Sequence, residues 1–240
     1  MDFSIIVPAY NEEKRIRACL ESIRAQRTQR SYELIVSDSG STDATAAIAR
    51  EYTDKIILCK EKGTARARNE GAFIARGDIL AFIDSDTVLM PDYLDTVYRA
   101  FHNKNTLAVS CAFKFTNRSP KLLMAEYVTN TYYFGRSIFH ATTLPGFNVC
   151  IRKDAFTRLG GFRLCHLEDL DISIKLRKQG RTFYLPRRKV ITSSRRLETD
   201  GILNTLKYYM DLYEATQQKR LIFHIIKLKK TQYDDYIHRE

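Results

Sequence analysis

Two aspartates, Asp84 and Asp86, directly follow an apolar run in the stretch GDILAFIDSDTVLM. The run, Ile79 to Ile83, has the length and composition of a buried strand. Side chains at positions i and i+2 of a strand point the same way, so a turn at its end would aim both carboxylates at one object. Like charges this close repel unless a cation lies between them. The pair is therefore either a solvated turn or a cation site.

A second acidic pair, Glu168 and Asp169, opens a segment of helical character, EDLDISIKLRKQG, which Gly180 closes. Carboxylates in a first helical turn often serve only the helix dipole. A carboxylate is also the group that accepts a proton from an attacking hydroxyl. The pattern alone leaves both interpretations open.

Strand and helix patterns alternate four times in the first half of the chain. We predict strands at 4–7, 33–37, 55–58 and 79–83. Helices are predicted at 12–27, 64–75 and 91–102, and an alanine-rich helix is predicted from the loop at 38–43 to about residue 52. Pro91 is expected at the first position of the fourth helix. Such alternation is typical of a doubly wound, mostly parallel α/β sheet, whose ligands bind at the carboxyl ends of the strands. Three of those ends carry PAYNEE, SDSGSTD and DSD.

The pattern changes after residue 107. We predict a strand at 108–115, an aromatic-rich helix at 121–134, a short strand at 148–152 and a strand–turn–strand in TFYLPRRKVITSSRR. A helix is expected from Asp200 onward, followed by the basic, apolar stretch LIFHIIKLKK. That stretch is either a packed helix or a segment lying at a membrane surface.

Composition excludes several classes of protein. The 240 residues are 44% hydrophobic and 28% charged, as in an ordinary globular chain. No apolar run reaches the roughly 18 residues of a membrane span, and the polar start of the chain predicts no signal peptide. The five cysteines include no C-x-x-C pair, which indicates free thiols in a reducing compartment. Neither G-x-G-x-x-G nor G-x-x-x-x-G-K-[ST] occurs, which argues against a dinucleotide fold or a P-loop.

The net charge of +11 is concentrated late in the chain. Residues 174–240 hold 16 Lys and Arg against 7 Asp and Glu, whereas residues 1–173 hold 23 against 21. A basic surface attracts nucleic acid, anionic lipid or a phosphorylated substrate. Nucleic-acid binding is disfavoured, because no known module or basic–aromatic stripe accompanies the charge.

Five segments in this order resemble glycosyltransferase family 2, the inverting nucleotide-sugar enzymes of the GT-A fold. They are IIVPAYNEE, IVSDSGSTDAT, GTARARNEGAFIARGDILAFIDSD, LPGFNVCIRKDAFTRLGGF and EDLDISIKLRKQG. The resemblance implies a single Rossmann-like GT-A domain over residues 1–195, followed by a basic helical extension over 196–240. It implies a transferase that uses a nucleotide-diphosphate sugar.

The resemblance implies roles for residues in the first half. Asp84 and Asp86 match the family's D-x-D pair, which holds Mg²⁺ or Mn²⁺ against the donor diphosphate. Asp38 matches the residue that binds the nucleotide base. The remaining donor-site residues implied are Pro8, Ala9, Tyr10, Glu12, Arg68 and Ser85. Arg68 would either reach a phosphate or pair with Asp38 or Asp84.

Further roles follow for the second half. Asp169 matches the general base of the family's E-D motif, and Glu168 would contact donor or acceptor sugar. Gly146, Phe147 and Asn148 would border the acceptor. Arg195 and Arg196 are expected either to contact the diphosphate or to form a solvated basic turn.

Departures from the family pattern limit what is implied. The Q-x-x-R-W motif is missing, Val88 replaces a metal ligand of some lipid-phosphate members, and TSSRRLE lacks the late histidine of other relatives. The third protein ligand of the metal is therefore open, with Ser193 and Ser194 as weak candidates. A processive polysaccharide synthase is disfavoured.

The acceptor is not readable from the sequence. A lipid-linked glycan or polyprenyl phosphate at the cytoplasmic membrane face would suit the basic extension, whereas a small hydroxyl compound would suit a purely cytoplasmic enzyme. A UDP-sugar is favoured slightly over a GDP-sugar as donor. The competing interpretation is an inactive GT-A scaffold. Oligomeric state is not predicted.

Overall fold

An eight-stranded mixed sheet forms the core of the protein, whose computed structural model describes residues 1–165, 167–201 and 204. Residues Met1–Arg195 form one compact unit, and residues 196–240 group separately. The strands are β1 (Phe3–Ala9), β2 (Tyr32–Asp38), β3 (Ile56–Leu58), β4 (Ile79–Ile83), β5 (Val88–Leu89), β6 (Thr106–Phe115), β7 (Asn148–Arg152) and β8 (Arg181–Thr192). The helices are α1 (Ile16–Arg24), α2 (Thr45–Arg50), α3 (Thr64–Ile74), α4 (Tyr93–Ala100), α5 (Pro120–Ile138), α6 (Lys153–Arg158), α7 (Glu168–Arg177) and α8 (Arg195–Asp200).

The strand order is β3-β2-β1-β4-β7-β6-β8-β5. The first four strands are mutually parallel, β7 runs antiparallel to both neighbours, β6 and β8 are parallel, and β5 is antiparallel to β8. The predicted α/β class with a mostly parallel sheet is confirmed. The antiparallel insertion of β7 between β4 and β6 was not predicted.

Burial explains the central strands. All seven residues of β1 and all five of β4 are buried, as expected for strands covered on both faces. Helix α3 packs closely on this layer, since a Cβ on Gly71 would lie 2.5 Å from Ile6 Cγ2 and 2.7 Å from Ser37 Oγ. The close approach allows α3 to carry Arg68 to the carboxyl edge of the sheet.

Two local predictions were wrong. Helix α4 begins at Tyr93 rather than at Pro91, whose carbonyl oxygen accepts a bond of 2.7 Å from the Arg27 N–H. The predicted strand–turn–strand is the single strand β8, which shifts register where Leu185 pairs with Cys111 and residue 188 with Ala112. Pro186 lies in this shift because it cannot donate a ladder hydrogen bond.

The predictions at the end of the chain concern residues beyond the described part. The helix expected from Asp200 and the stretch LIFHIIKLKK lie outside the described residues, apart from Asp200, Gly201 and Asn204. Within the described part, no helix is both long and apolar enough to cross a bilayer.

Candidate active site

Three of the predicted loops meet at one edge of the sheet, because β1, β2 and β4 are parallel and adjacent. Ala9 pairs with Asp38 at the ends of β1 and β2, and β4 ends at Ile83, directly before Asp84. The backbone also links the loops, since the Ser39 N–H donates to the Ala9 carbonyl at 2.9 Å. The loops that were predicted to form a site at the carboxyl ends of the strands are therefore neighbours in the structure.

Arg68 joins the two acidic motifs. Its Nη2 donates to Asp84 Oδ1 at 2.7 Å, and its Nη1 donates to Glu168 Oε1 at 3.0 Å. The Arg68 side chain is only 3% exposed, and Glu168 is 16% exposed, so their ion pair forms in a poorly hydrated environment, whereas Asp84, at 34%, also reaches solvent. Of the alternatives, the pairing with Asp84 is found, and the second partner, Glu168, was not anticipated.

Asp86 lies beside other carboxylates. Burial, with the carboxylates of Asp84 and Glu12 nearby, raises the pKa of Asp86 to about 7, against the opposing influence of Arg195 and Arg15. Such a pKa shows that the positive charge around this carboxylate does not fully compensate its burial and repulsion. Added positive charge would stabilise its ionised form.

Glu168 and Asp169 form the other half of the cluster. Burial raises the pKa of Glu168 to about 7 even though Arg68 acts to lower it. Burial also raises the pKa of Asp169. Two backbone N–H groups position the Asp169 carboxylate: Leu170 donates to Oδ1 at 2.8 Å and Gly146 to Oδ2 at 3.3 Å. Asp169 therefore has a fixed orientation and increased basicity.

The segment predicted to border the acceptor contacts both acidic motifs. Gly146 bonds Asp169, and the Phe147 carbonyl accepts a bond of 3.2 Å from the Asp84 N–H. Asn148 is fully buried, and its Oδ1 accepts bonds from Ser110 Oγ at 2.9 Å and the Cys111 N–H at 2.8 Å. Asn148 therefore holds β7 to β6, and its contact with an acceptor stays a prediction.

Asp38 is buried beneath the second loop. Its Oδ1 accepts a 2.5 Å bond from the Ser41 hydroxyl, and the Ser41 N–H donates to the same carboxylate at 3.2 Å. The hydroxyl of Ser41 in turn accepts a bond of 2.9 Å from the Asn11 N–H, which connects the first and second loops. Binding of a nucleotide base by Asp38 stays a prediction.

The first loop ends in a cluster of charges. Glu12 accepts bonds of 3.1 Å from both Arg15 Nη1 and Arg195 Nη2. From this position the charge of Arg195 acts to lower the pKa of the Asp86 carboxyl. Arg195 is thus brought to the site. Arg196 belongs to the separately grouped part of the chain, and its role stays a prediction.

Tyr10, Ser85 and Pro8 occupy different surroundings. Lys62 Nζ donates to the Tyr10 hydroxyl at 2.5 Å and lies 4.4 Å from the ring centroid. Ser85 is buried within the D-x-D turn, and Pro8 is buried in β1. A base that stacks on Tyr10 would therefore either displace Lys62 from the ring or contact Lys62 as well.

The carboxylate pair fits a divalent cation only with help from other ligands. Among the described residues, no three His, Cys, Asp or Glu side chains converge as a metal-binding group. Asp84 uses Oδ1 for Arg68, which leaves Oδ2 and the Asp86 carboxylate as the hard oxygen ligands. Phosphate oxygens of a donor and water would complete the shell.

Several contacts of the site were not found by sequence reasoning. Arg15 and Lys62 were missed, although Arg15 stands only three residues after Glu12. Cys19 was also missed: its Sγ lies 3.6 Å from the Asp84 carbonyl oxygen, and burial beside Asp86 and Asp84 raises the pKa of the thiol. Only the Glu12–Arg15 spacing offered a local signal.

Solved structures with a similar fold include complexes with UDP and with GDP-Man. Residues 1–349 of the TarS protein of Staphylococcus aureus, in complex with UDP, match with a TM-score of 0.66 and 22% identity, covering 80% of this chain and 60% of that fragment. The mannosyltransferase PcManGT of Pyrobaculum calidifontis, in complex with GDP-Man and Mn²⁺, matches with a TM-score of 0.66 and 24% identity, covering 80% and 56%. The fold is therefore GT-A.

Residues 4–160 match the family model described as Glycosyl transferase family 2, and the chain belongs to that family. Among curated relatives, the putative glycosyltransferase EpsH of Bacillus subtilis is 40% identical over 134 residues. That match covers 54% of this chain but only 38% of EpsH. The predicted family membership is confirmed.

Proposed function

We propose that the chain is a metal-dependent inverting glycosyltransferase that moves a sugar from a nucleotide-diphosphate donor to an acceptor. The observation that carries this proposal is the ion-paired cluster in which Arg68 joins Asp84 to Glu168. Because one guanidinium bonds both Asp84 and Glu168, the proposed metal-binding pair and the proposed base would belong to one site, which supports the proposal. A structural ion pair alone would not require Asp86 and Asp169 beside it, both with raised pKa values.

Asp84 and Asp86 would hold Mg²⁺ or Mn²⁺. The bound cation would neutralise charge on the departing diphosphate. The Mn²⁺ in the PcManGT structure supports the choice of metal. Arg195, which is ion-paired with Glu12, would supply fork-shaped hydrogen bonds to the phosphates.

Asp169 would accept the proton of an acceptor hydroxyl. Its carboxylate is fixed by the N–H groups of Leu170 and Gly146, so the acceptor would approach along the Gly146–Asn148 segment. A polyprenyl phosphate is already ionised and would need no such base. The outcome for a base-deficient variant therefore separates the two acceptor classes.

A UDP-sugar is the proposed donor, and a lipid-linked acceptor at the cytoplasmic membrane face is the proposed acceptor. The UDP complex of the structurally similar TarS supports the donor. The excess of Lys and Arg in residues 174–240 supports an anionic surface as the place of reaction. A small soluble acceptor is the alternative, and an inactive scaffold is the alternative outside catalysis.

Calorimetric titration with UDP and with GDP, each in Mn²⁺ and in EDTA, tests the donor site. We expect one nucleotide to bind only with Mn²⁺, and Asp86→Ala to abolish that binding. Asp54→Ala, at an exposed aspartate far from the D-x-D turn in sequence, is the matched control and should bind as wild type. Failure of both nucleotides to bind would refute the enzyme proposal and favour the scaffold.

A further inference from the structure

Helix α5 has an inverted distribution of polar and apolar side chains. Its buried residues are Leu122, Glu126, Asn130 and Ser137, three of which are polar. Its outer face carries Leu123, Met124, Tyr127, Val128, Tyr132, Phe134 and Ile138, followed by Phe139, each between 37% and 81% exposed. A helix that packs on a core and faces water normally has the opposite pattern.

The buried polar residues of α5 form hydrogen bonds with the neighbouring strands. Asn130 exchanges hydrogen bonds of 3.0 Å with the Phe113 N–H and carbonyl, and it accepts a bond of 2.6 Å from the Tyr184 hydroxyl. Glu126 accepts bonds from the Phe115 N–H at 2.9 Å and from Arg118 at 2.7 Å. These bonds fix α5 on β6 and β8 with its apolar side outward.

The outer side of α5 holds most of the large apolar side chains that are exposed among the described residues. Of thirteen large apolar side chains at least 37% exposed among the described residues, eight lie between positions 123 and 139. Helical spacing brings them together on one side of α5. Contiguous exposed apolar surface of this kind marks an interaction site rather than ordinary scatter.

Charge selects the kind of partner. Between Asp95 and Asp154 the sequence holds eight Lys and Arg and a single acidic residue, the buried Glu126. The apolar side of α5 is bordered by Lys121, beside the Arg118–Glu126 ion pair, at one end and by Arg136 at the other. A second copy packed face to face would set cations against cations, whereas an anionic bilayer accepts cations at both ends.

We propose that α5 is a membrane-binding helix, which lies in the interface of an anionic bilayer with its outer side in the acyl boundary. Tyr127 and Tyr132 are amphipathic rings suited to that depth, and Lys121 is placed to contact headgroups. The site goes beyond the proposed transferase function. It is also separate from the basic C-terminal residues as a possible source of membrane binding.

The helix stands close to the segment predicted to border the acceptor. Asn130 of α5 bonds the Phe113 backbone, and the Phe113 ring packs edge-on against Phe147 at 5.2 Å between centroids. One layer of side chains therefore separates α5 from that segment. Docking of α5 would bring a lipid-borne acceptor close to the site.

The lack of tryptophan permits a direct test with the full chain. Tyr127→Trp places a single indole on the outer side of α5, and Phe73→Trp places one at a 90% exposed position of α3 as the control. With phosphatidylglycerol vesicles and no nucleotide, we expect a blue shift and quenching by brominated lipid for Tyr127→Trp only. Phosphatidylcholine vesicles should produce a much smaller change.

A loss-of-binding experiment complements the fluorescence. Combined Met124→Ser, Tyr127→Ser and Val128→Ser should weaken sedimentation with phosphatidylglycerol vesicles by about tenfold or more, because exposed apolar area is lost. Phe73→Ser should sediment as wild type. All of these side chains are exposed, so an unchanged thermal midpoint is expected and verifies folding.

Two results would overturn the proposal. Vesicle binding with no change in Tyr127→Trp emission would place the binding elsewhere in the chain. A lipid-independent blue shift that grows with protein concentration would identify a second copy as the partner of α5. Neither result would bear on the nucleotide titration, since these samples contain no nucleotide.

Discussion

Asp84 and Glu168, which belong to different acidic motifs, bind the same guanidinium group. Arg68 lies 2.7 Å from Asp84 Oδ1 and 3.0 Å from Glu168 Oε1, and it is nearly inaccessible to solvent. The end of β4 and the start of α7 are thus held together by one side chain of α3. The separation of the predicted metal pair and the predicted base therefore depends on Arg68.

Removing Arg68 should destabilise the fold strongly. Arg68→Ala removes a buried guanidinium and leaves the mostly buried Glu168 carboxylate without its cation, whereas Asp84 is one-third exposed and can be hydrated. We therefore expect a loss of about 2–4 kcal/mol in the free energy of unfolding, below the full value for a completely buried pair. Arg68→Lys keeps the charge but cannot bind both carboxylates as a fork, so its loss should be smaller. Urea denaturation measures both.

A matched control for Arg68 is Arg158→Ala, which removes an exposed pair with Asp154 on α6. That change should cost less than about 1 kcal/mol. If Arg68→Ala cost no more than this control, the buried ion pairs would not determine the stability of the site.

Gly146 is required because no side chain fits beside Arg68. A Cβ at this position would lie 2.9 Å from both Nη1 and Nη2 of Arg68, and the ion-paired guanidinium cannot move without breaking its bonds. We expect Gly146→Ala to cost about 1–3 kcal/mol in unfolding free energy. It should also weaken Mn²⁺-dependent nucleotide binding.

Gly135→Ala provides the comparison, because a Cβ at this glycine of α5 has no atom within 4 Å. Alanine in a helix interior should stabilise the protein by about 0.5–1 kcal/mol. Equal effects of both substitutions in urea denaturation would show that the space around Gly146 relaxes freely.

Much of the donor half of the fold was predictable from sequence. Strands β1 to β4 each contain a short apolar run, and parallel alternation directs their carboxyl ends to one edge. The acidic residues at those ends, Asp38, Asp84 and Asp86, were then the candidate donor-site residues. The β7 boundaries, Asn148–Arg152, were predicted correctly because turn-forming residues precede the strand.

The remaining features depend on long-range pairing, for which local sequence carries no signal. Nothing near Arg68 or Glu168 in sequence indicates that they meet across 100 positions. The placement of β7 between β4 and β6 is likewise a tertiary choice. Pro186 resembles a turn signal, yet β8 accommodates it as a register shift because β6 continues alongside.

The stability of the metal-free protein should depend on the Asp86 carboxyl. Its pKa is about 7 when folded and about 4 in an unfolded chain, so protonation favours the folded state. This contribution is present below about pH 4 and is lost as the pH rises through about 7. In EDTA, Asp86→Asn should therefore stabilise the protein at about pH 8, by about 1–3 kcal/mol, and less at about pH 5.

Urea denaturation at the two pH values measures this difference against Asp54→Asn, an exposed substitution that should show no such trend. Adding Mn²⁺ and the bound nucleotide should stabilise wild type but not Asp86→Asn at the higher pH. A gain from Asp86→Asn that is larger at the lower pH would contradict the assigned direction of the pKa.

Asp169→Asn tests the base assignment. The substitution retains the side-chain shape, but the amide NH₂ is only a donor, so one of the two N–H bonds now made by Leu170 and Gly146 is lost and the side chain cannot take a proton. With a hydroxyl acceptor, we expect transfer to fall by about 10²–10⁴-fold while Mn²⁺-dependent nucleotide binding persists. Chromatographic assay of sugar transfer, beside calorimetry of binding, separates these effects.

Transfer by Asp169→Asn at the wild-type rate would indicate an acceptor that is already ionised, such as a lipid phosphate, or would assign the role of base to Glu168. Glu168→Gln distinguishes these: loss of transfer in that variant alone, with the fold verified by its unfolding midpoint, would assign the proton to Glu168.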